Sequence, residues 1–151
     1  MTLLLGTDLR DAQRLLGLAC LRQRMHPDAV HWLERACAGN DDSDDWSALA
    51  TAAAGQGNLN LADEAFEQVR LIQRTARYGQ GKGFYHQLYG YASALCEAEA
   101  HDRVPPLLEE LAAAYRRVGS SDTSLLYTVG LPFLSSFLYL AVRHLHSAGR
   151  E

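Results

Sequence analysis

The stretch WSALATAAAGQGNLNLADEAFEQV, residues 46–69, decides the fold. Trp46, Leu49, Ala50 and Ala53 follow one another at steps of three and four, the period of a helix with one buried stripe. Asp44 and Asp45, just ahead, favour a helix start through the backbone dipole. Gly57-Asn58 then reads as a glycine that ends one helix and a cap that starts the next. Leu59, Ala62, Phe66 and Val69 resume the same period. Two helices joined by so short a turn fold back on each other, and Ala50 and Ala62 leave room for their backbones to come close.

The pattern recurs on both sides. Displacing the chain by 33 residues lays Leu16, Gly17, Ala29, Leu33 and Ala36 over Leu49, Ala50, Ala62, Phe66 and Val69. A displacement of 42 lays Leu88, Tyr91, Ala92, Leu95, Val104, Leu108 and Leu111 over Trp46, Leu49, Ala50, Ala53, Ala62, Phe66 and Val69. A repeat of this length marks copies of one helical hairpin rather than unrelated helices. Three copies are expected, near 8–38, 44–78 and 84–118, within a single domain over 1–151. Pro27 and Pro105-Pro106 open second helices, where a missing N–H costs nothing.

The middle motif, Trp46-x2-Leu49-Ala50-x2-Ala53, Gly57-Asn58, Ala62-x3-Phe66-x2-Val69, resembles the tetratricopeptide repeat. It departs from that pattern at Ala53, where a larger residue is usual, and in lacking the closing proline. The resemblance implies an all-α solenoid of three helix-turn-helix repeats with a C-terminal capping helix. It further implies a non-enzymatic protein-binding adaptor or chaperone, with the first helix of each hairpin lining a concave groove. Arg14, Leu18 and Arg22 would face that groove from the first copy, Ser47, Ala48 and Thr51 from the second, and Tyr89, Ser93 and Glu97 from the third. Leu18, Thr51 and Ser93 stand where a carboxylate clamp would need polar or basic groups, so an extended or helical segment with an apolar anchor is the expected partner. Small acidic chaperones of bacterial type III secretion are similar in size, charge and repeat number.

Composition agrees with a helical scaffold. The 151 residues include 25 Leu and 22 Ala against four Pro, which favours helix over a β sandwich. A formal charge of −4 lacks the positive field that non-specific nucleic-acid binding needs. Cys20, Cys37 and Cys96 are odd in number and form no CxxC pair, which suits a reducing, cytoplasmic compartment. Thirteen Arg against one Lys, with so much Ala, point to a GC-rich bacterial genome. Leu18-Ala19-Cys20 ends an apolar stretch, but Asp8, Arg10, Asp11 and Arg14 interrupt it, so no lipoprotein signal is expected.

No catalytic, cofactor or metal constellation is expected. His26 and His31 are five apart with Pro27 between, and His144 and His146 point to nearly opposite sides of a helix, whereas paired ligands need steps of three or four. The acidic run Asp41-Asp42-Ser43-Asp44-Asp45 reads as a solvated loop and helix start. Arg74 to Gly83 is the only locally basic stretch, and its GQGKG lacks the spacing of a phosphate-binding loop. The uncharged residues 123–142 are long enough to span a bilayer. Their polar groups, among them Ser124, Thr128, Ser135 and Tyr139, gather on one arc of roughly 120°, which favours a closing helix over about 123–147. A membrane anchor and a surface for a partner or for homo-oligomerisation are the alternatives for that segment.

Overall fold

The computed structural model describes residues 2–75 and 82–121, and among these every regular element is helical. In order they are α1 (Thr2–Arg22), α2 (His26–Cys37), α3 (Ser43–Gln56), α4 (Leu59–Thr75), α5 (Lys82–Glu97), a short 3-10 turn at His101–Arg103, and α6 (Val104–Ser121). The chain divides into two compact units, Met1–Gly79 and Gln80–Glu151. The expected closing helix over 123–147 and most of the basic insertion, 76–81, lie outside the described residues.

In Met1–Gly79 each helix packs on the next, and α1 also packs on α3. The contacts are made by small residues. Ala29, Ala36, Ala50, Ala52, Ala53, Ala54 and Ala62 are wholly buried, with Leu33, Leu49, Phe66 and Val69 filling the space between helices. Gly17 shows how close the approach is. A Cβ at this position would lie 2.6 Å from Cγ of Leu33 and 3.3 Å from its backbone nitrogen. Gly55 does the same for α2, since a Cβ there would sit 2.4 Å from the His26 ring.

In Gln80–Glu151, α5 packs on α6, and the 3-10 turn touches both. Phe84, Leu88, Ala92, Leu95, Val104 and Leu111 form its buried centre. Val104, which stands over Ala62 in the displaced alignment, is wholly buried as Ala62 is, each of them five residues beyond the left-handed residue of its turn.

The three hairpin turns share one geometry. α3 ends at Gly57, whose φ of 87° is left-handed; its N–H bonds to Ala53 and Ala54 carbonyls, and Asn58 N–H reaches Ala53 O at 2.9 Å. Asn58 Oδ1 then accepts from Leu61 N–H at 3.2 Å and caps α4. The first hairpin makes the same turn with Arg24 at φ 60° and Met25 N–H on Cys20 O at 2.8 Å. The third uses Glu99 at φ 60° and Ala100 N–H on Leu95 O at 2.9 Å. The left-handed residues are 33 and 42 positions apart, the same two displacements that align the sequence with itself. The turn therefore repeats although only one copy supplies the glycine that tolerates it without cost.

Two substitutions test this packing. Gly17→Ala gains about 1 kcal/mol of helix propensity but drives a methyl into the wholly buried Leu33, so a net loss of about 1–2 kcal/mol is expected in urea unfolding. Glu99→Gly relieves an exposed left-handed residue and is expected to gain about 0.5–1 kcal/mol in the same assay.

Candidate functional site

The groove residues expected from the sequence fall in two groups. Arg14, Leu18 and Arg22 lie along one side of α1 at steps of four, the first two half-buried and Arg22 exposed. Ser47, Ala48 and Thr51, all half-buried, share one arc of roughly 100° on α3, the only side of that helix not turned into the core. Because α1 packs on α3 within Met1–Gly79, these six residues are carried by neighbouring helices. Tyr89, Ser93 and Glu97 form a stripe along α5, half-buried for the first two and exposed at Glu97, and belong to the other unit.

The surface on α1 and α3 is partly committed to its own fold. Arg14 pairs with Asp11 at 3.6 Å, and its charge also acts on Asp45 near the start of α3. Thr51 Oγ1 donates to Ser47 O at 3.1 Å, so its proton is spent within the helix and its oxygen remains an acceptor. What the two helices offer outward is a leucine, an alanine and two hydroxyl side chains between arginines.

The acidic run does not lie wholly in solvent. Asp42 caps α3 by accepting from Asp44 N–H at 2.9 Å, while Asp45 is buried, only 5% exposed. The organiser is Asn40, which the sequence reading passed over. Its Nδ2 donates to Asp45 Oδ2 at 2.8 Å and to Ala36 O at 3.3 Å, and its Oδ1 accepts from Asp42 N–H at 2.8 Å. Trp46 Nε1 donates to Asn40 O at 2.8 Å. Every polar atom of Asn40 thus ties the end of α2 to the start of α3. Gly39-Asn40, two turn-forming residues ahead of the acidic run, is the sequence signal of a turn there, and Gly39 is left-handed at φ 71°.

Burial raises the Asp45 carboxyl above its ordinary value and the nearby Asp42 charge adds to this, against the opposing Asn40 hydrogen bond and Arg14. Burial likewise pushes the Cys37 thiol up to about 12, helped by Asp45, Asp42 and Glu34. Cys37 is therefore a protonated apolar filler, not a nucleophile. His26 Nδ1 is buried without a hydrogen-bond partner, its ring seated on Gly55. Among the described residues no group of three or more His, Cys, Asp or Glu is placed to hold a metal ion, and no helix is long and apolar enough to cross a membrane.

No protein-family model, curated protein or solved structure matches the chain.

The Cys37 thiol sets a pH dependence. An unfolded thiol ionises near 9.0 and the folded one near 12, so above pH 9 the unfolded chain loses a proton that the folded chain keeps. This contribution is intact below that range and is lost as pH rises through it. At pH 10 the expected loss is about 1.4 kcal/mol, and Cys37→Ala should flatten the alkaline limb when urea unfolding is followed from pH 8 to 10.

Proposed function

We propose that this chain is a non-enzymatic adaptor or chaperone of the tetratricopeptide type, which holds a segment of another protein on the outward side of its hairpins' first helices. The recurrence of one hairpin turn at 33 and 42 residues carries the proposal, because a shared turn at the alignment's own spacing is what copies of a single unit would have. The all-helical elements and the buried small residues support it. So does the character of the outward side. Leu18 and Ala48 offer an apolar seat, Ser47 and Thr51 offer hydroxyl oxygens, and Arg14 and Arg22 are positive at their ends. Within the other unit, Tyr89 on α5 is by itself a side chain suited to anchor a bound segment, a ring with large contact area and few rotors to immobilise.

Three free cysteines, with Cys37 and Cys96 buried, suit a reducing compartment such as a cytoplasm. The net charge of −4 and the length of 151 residues favour, as a narrower form, a small acidic chaperone like those of bacterial type III secretion.

The test begins with affinity isolation from the native cell and continues by calorimetric titration of the co-purifying protein. Tyr89→Ala and Leu18→Asp are each expected to weaken binding by about 1–3 kcal/mol with unchanged helix content. Replacing Arg77 and Lys82 should do less and mainly alter the dependence on salt. Loss of binding in that basic-stretch variant, with Tyr89→Ala and Leu18→Asp unaffected, would transfer the site to the insertion.

A further inference from the structure

Asp45 is a buried carboxyl whose hydrogen-bond donor is a neutral amide, Asn40 Nδ2 at 2.8 Å. The charges around it do not offset its own. Asp42 and Asp44 repel it from the same turn, and Arg14, the cation that acts on it, comes from α1 and already pairs with Asp11 at 3.6 Å. From α2 it faces the Cys37 thiol, itself kept protonated with the help of Glu34. From α4 the neutral Gln73 reaches the start of α3, its Nε2 donating to Ser43 Oγ at 3.2 Å. The first turn of a helix favours negative charge, but Asp42 and Asp44 supply it from exposed positions. A buried carboxylate held by a neutral donor costs stability, and its neutral form costs far less.

We propose that the joint between α2 and α3 is a proton-operated clasp, closed when Asp45 is neutral and loosened when it is charged. The clasp is built on Asn40. Its backbone N–H donates to Cys37 O at 3.0 Å and its Nδ2 to Ala36 O at 3.3 Å, which holds it to the end of α2. Its Nδ2, Oδ1 and backbone O bond to Asp45 Oδ2, Asp42 N–H and Trp46 Nε1 at 2.8 Å each, which holds it to the start of α3. Charge at Asp45 favours any opening that brings its oxygens to water, and such an opening breaks its bond to Asn40 and disturbs those beside it. A neutral carboxyl keeps an acceptor oxygen for Asn40 without that pull.

Burial and the Asp42 charge hold the Asp45 carboxyl above its ordinary 3.8, so the folded chain takes up this proton at a higher pH than the unfolded chain does. The cost of the charge is present in full above the folded chain's value and gone below 3.8, so Asp45 strengthens the fold as pH falls through that window. This is the reverse of the usual acid denaturation. An amide here would keep the shape and the acceptor, so the carboxylate contributes response to protons rather than strength. Since α3 carries Ser47, Ala48 and Thr51, the clasp governs how firmly that side of the helix is held. It does not rest on the peptide-binding reading, and its test needs no partner.

The test follows the full chain by NMR from pH 7 to pH 4, reading the Asp45 carboxyl carbon and the Trp46 indole N–H, with urea unfolding at both ends. The two signals are expected to titrate with one midpoint, above the ordinary carboxylate range. That midpoint should rise in Arg14→Met and in Asn40→Ala, each of which removes a group that favours the charge. Asp45→Asn should leave the indole signal fixed, and should need more urea than the wild type at pH 7, an advantage that shrinks toward pH 4. An Asp45 midpoint in the ordinary range overturns the proposal, and so does an indole signal that does not follow it. A midpoint that answers to neither Arg14 nor Asn40 overturns it too, as does an Asp45→Asn variant no more stable than the wild type at pH 7. If that variant fails to fold, the wild-type and Arg14→Met titrations still decide, because a merely structural aspartate would not carry the indole with it.

Discussion

The close approach of α1 to α2 at Gly17 is the constraint on which the first unit depends. With a Cβ excluded by Leu33, the α1 and α2 backbones are held at the distance one absent methyl allows. That distance lets α1 reach α3 as well as α2. The wholly buried alanines of α2, α3 and α4 extend the same logic, each contact being made by side chains too short to hold the helices apart. Close packing of this kind leaves little room for relaxation, so a larger side chain is felt immediately.

Much of this was legible beforehand. Helical period marked the hairpins, Gly57-Asn58 marked the middle turn, and aligned small residues marked the close contacts, because each follows from local stereochemistry or from a spacing that the chain itself displays. The turns at Arg24 and Glu99 carried no such mark. Their left-handed backbones are imposed by the helices they join, and residue type does not announce a conformation that packing enforces. Asp45 was misread for a related reason: four carboxylates among five residues suggest solvent, and only the position of Asn40 shows which one is drawn inside.

The residues expected to line a groove were chosen from helical period alone. Helical period places Arg14 and Leu18 on one side of α1, and Ser47, Ala48 and Thr51 on one side of α3; that these two helices adjoin comes from packing. What a spacing argument could not supply is the prior engagement of those groups, with Arg14 beside Asp11 and Thr51 bonded to its own helix. The exposure of Leu9, Leu15 and Leu16 on α1 was missed because these leucines fit the pattern of a core, and exposure depends on what else packs there.

A core built so largely from alanine has a thermal consequence. The heat capacity released on unfolding rises with the apolar area newly wetted, and an alanine methyl contributes little of it compared with a leucine or phenylalanine. The unit Met1–Gly79, with Ala29, Ala36, Ala50, Ala52, Ala53, Ala54, Ala62 and Ala65 in its interior, should therefore unfold with less than the usual heat-capacity increment of about 12–15 cal/mol/K per residue. Its free-energy curve against temperature is correspondingly shallow. Such a scaffold changes stability only gently on cooling, since less of its cohesion comes from the hydration effect that fades in cold water.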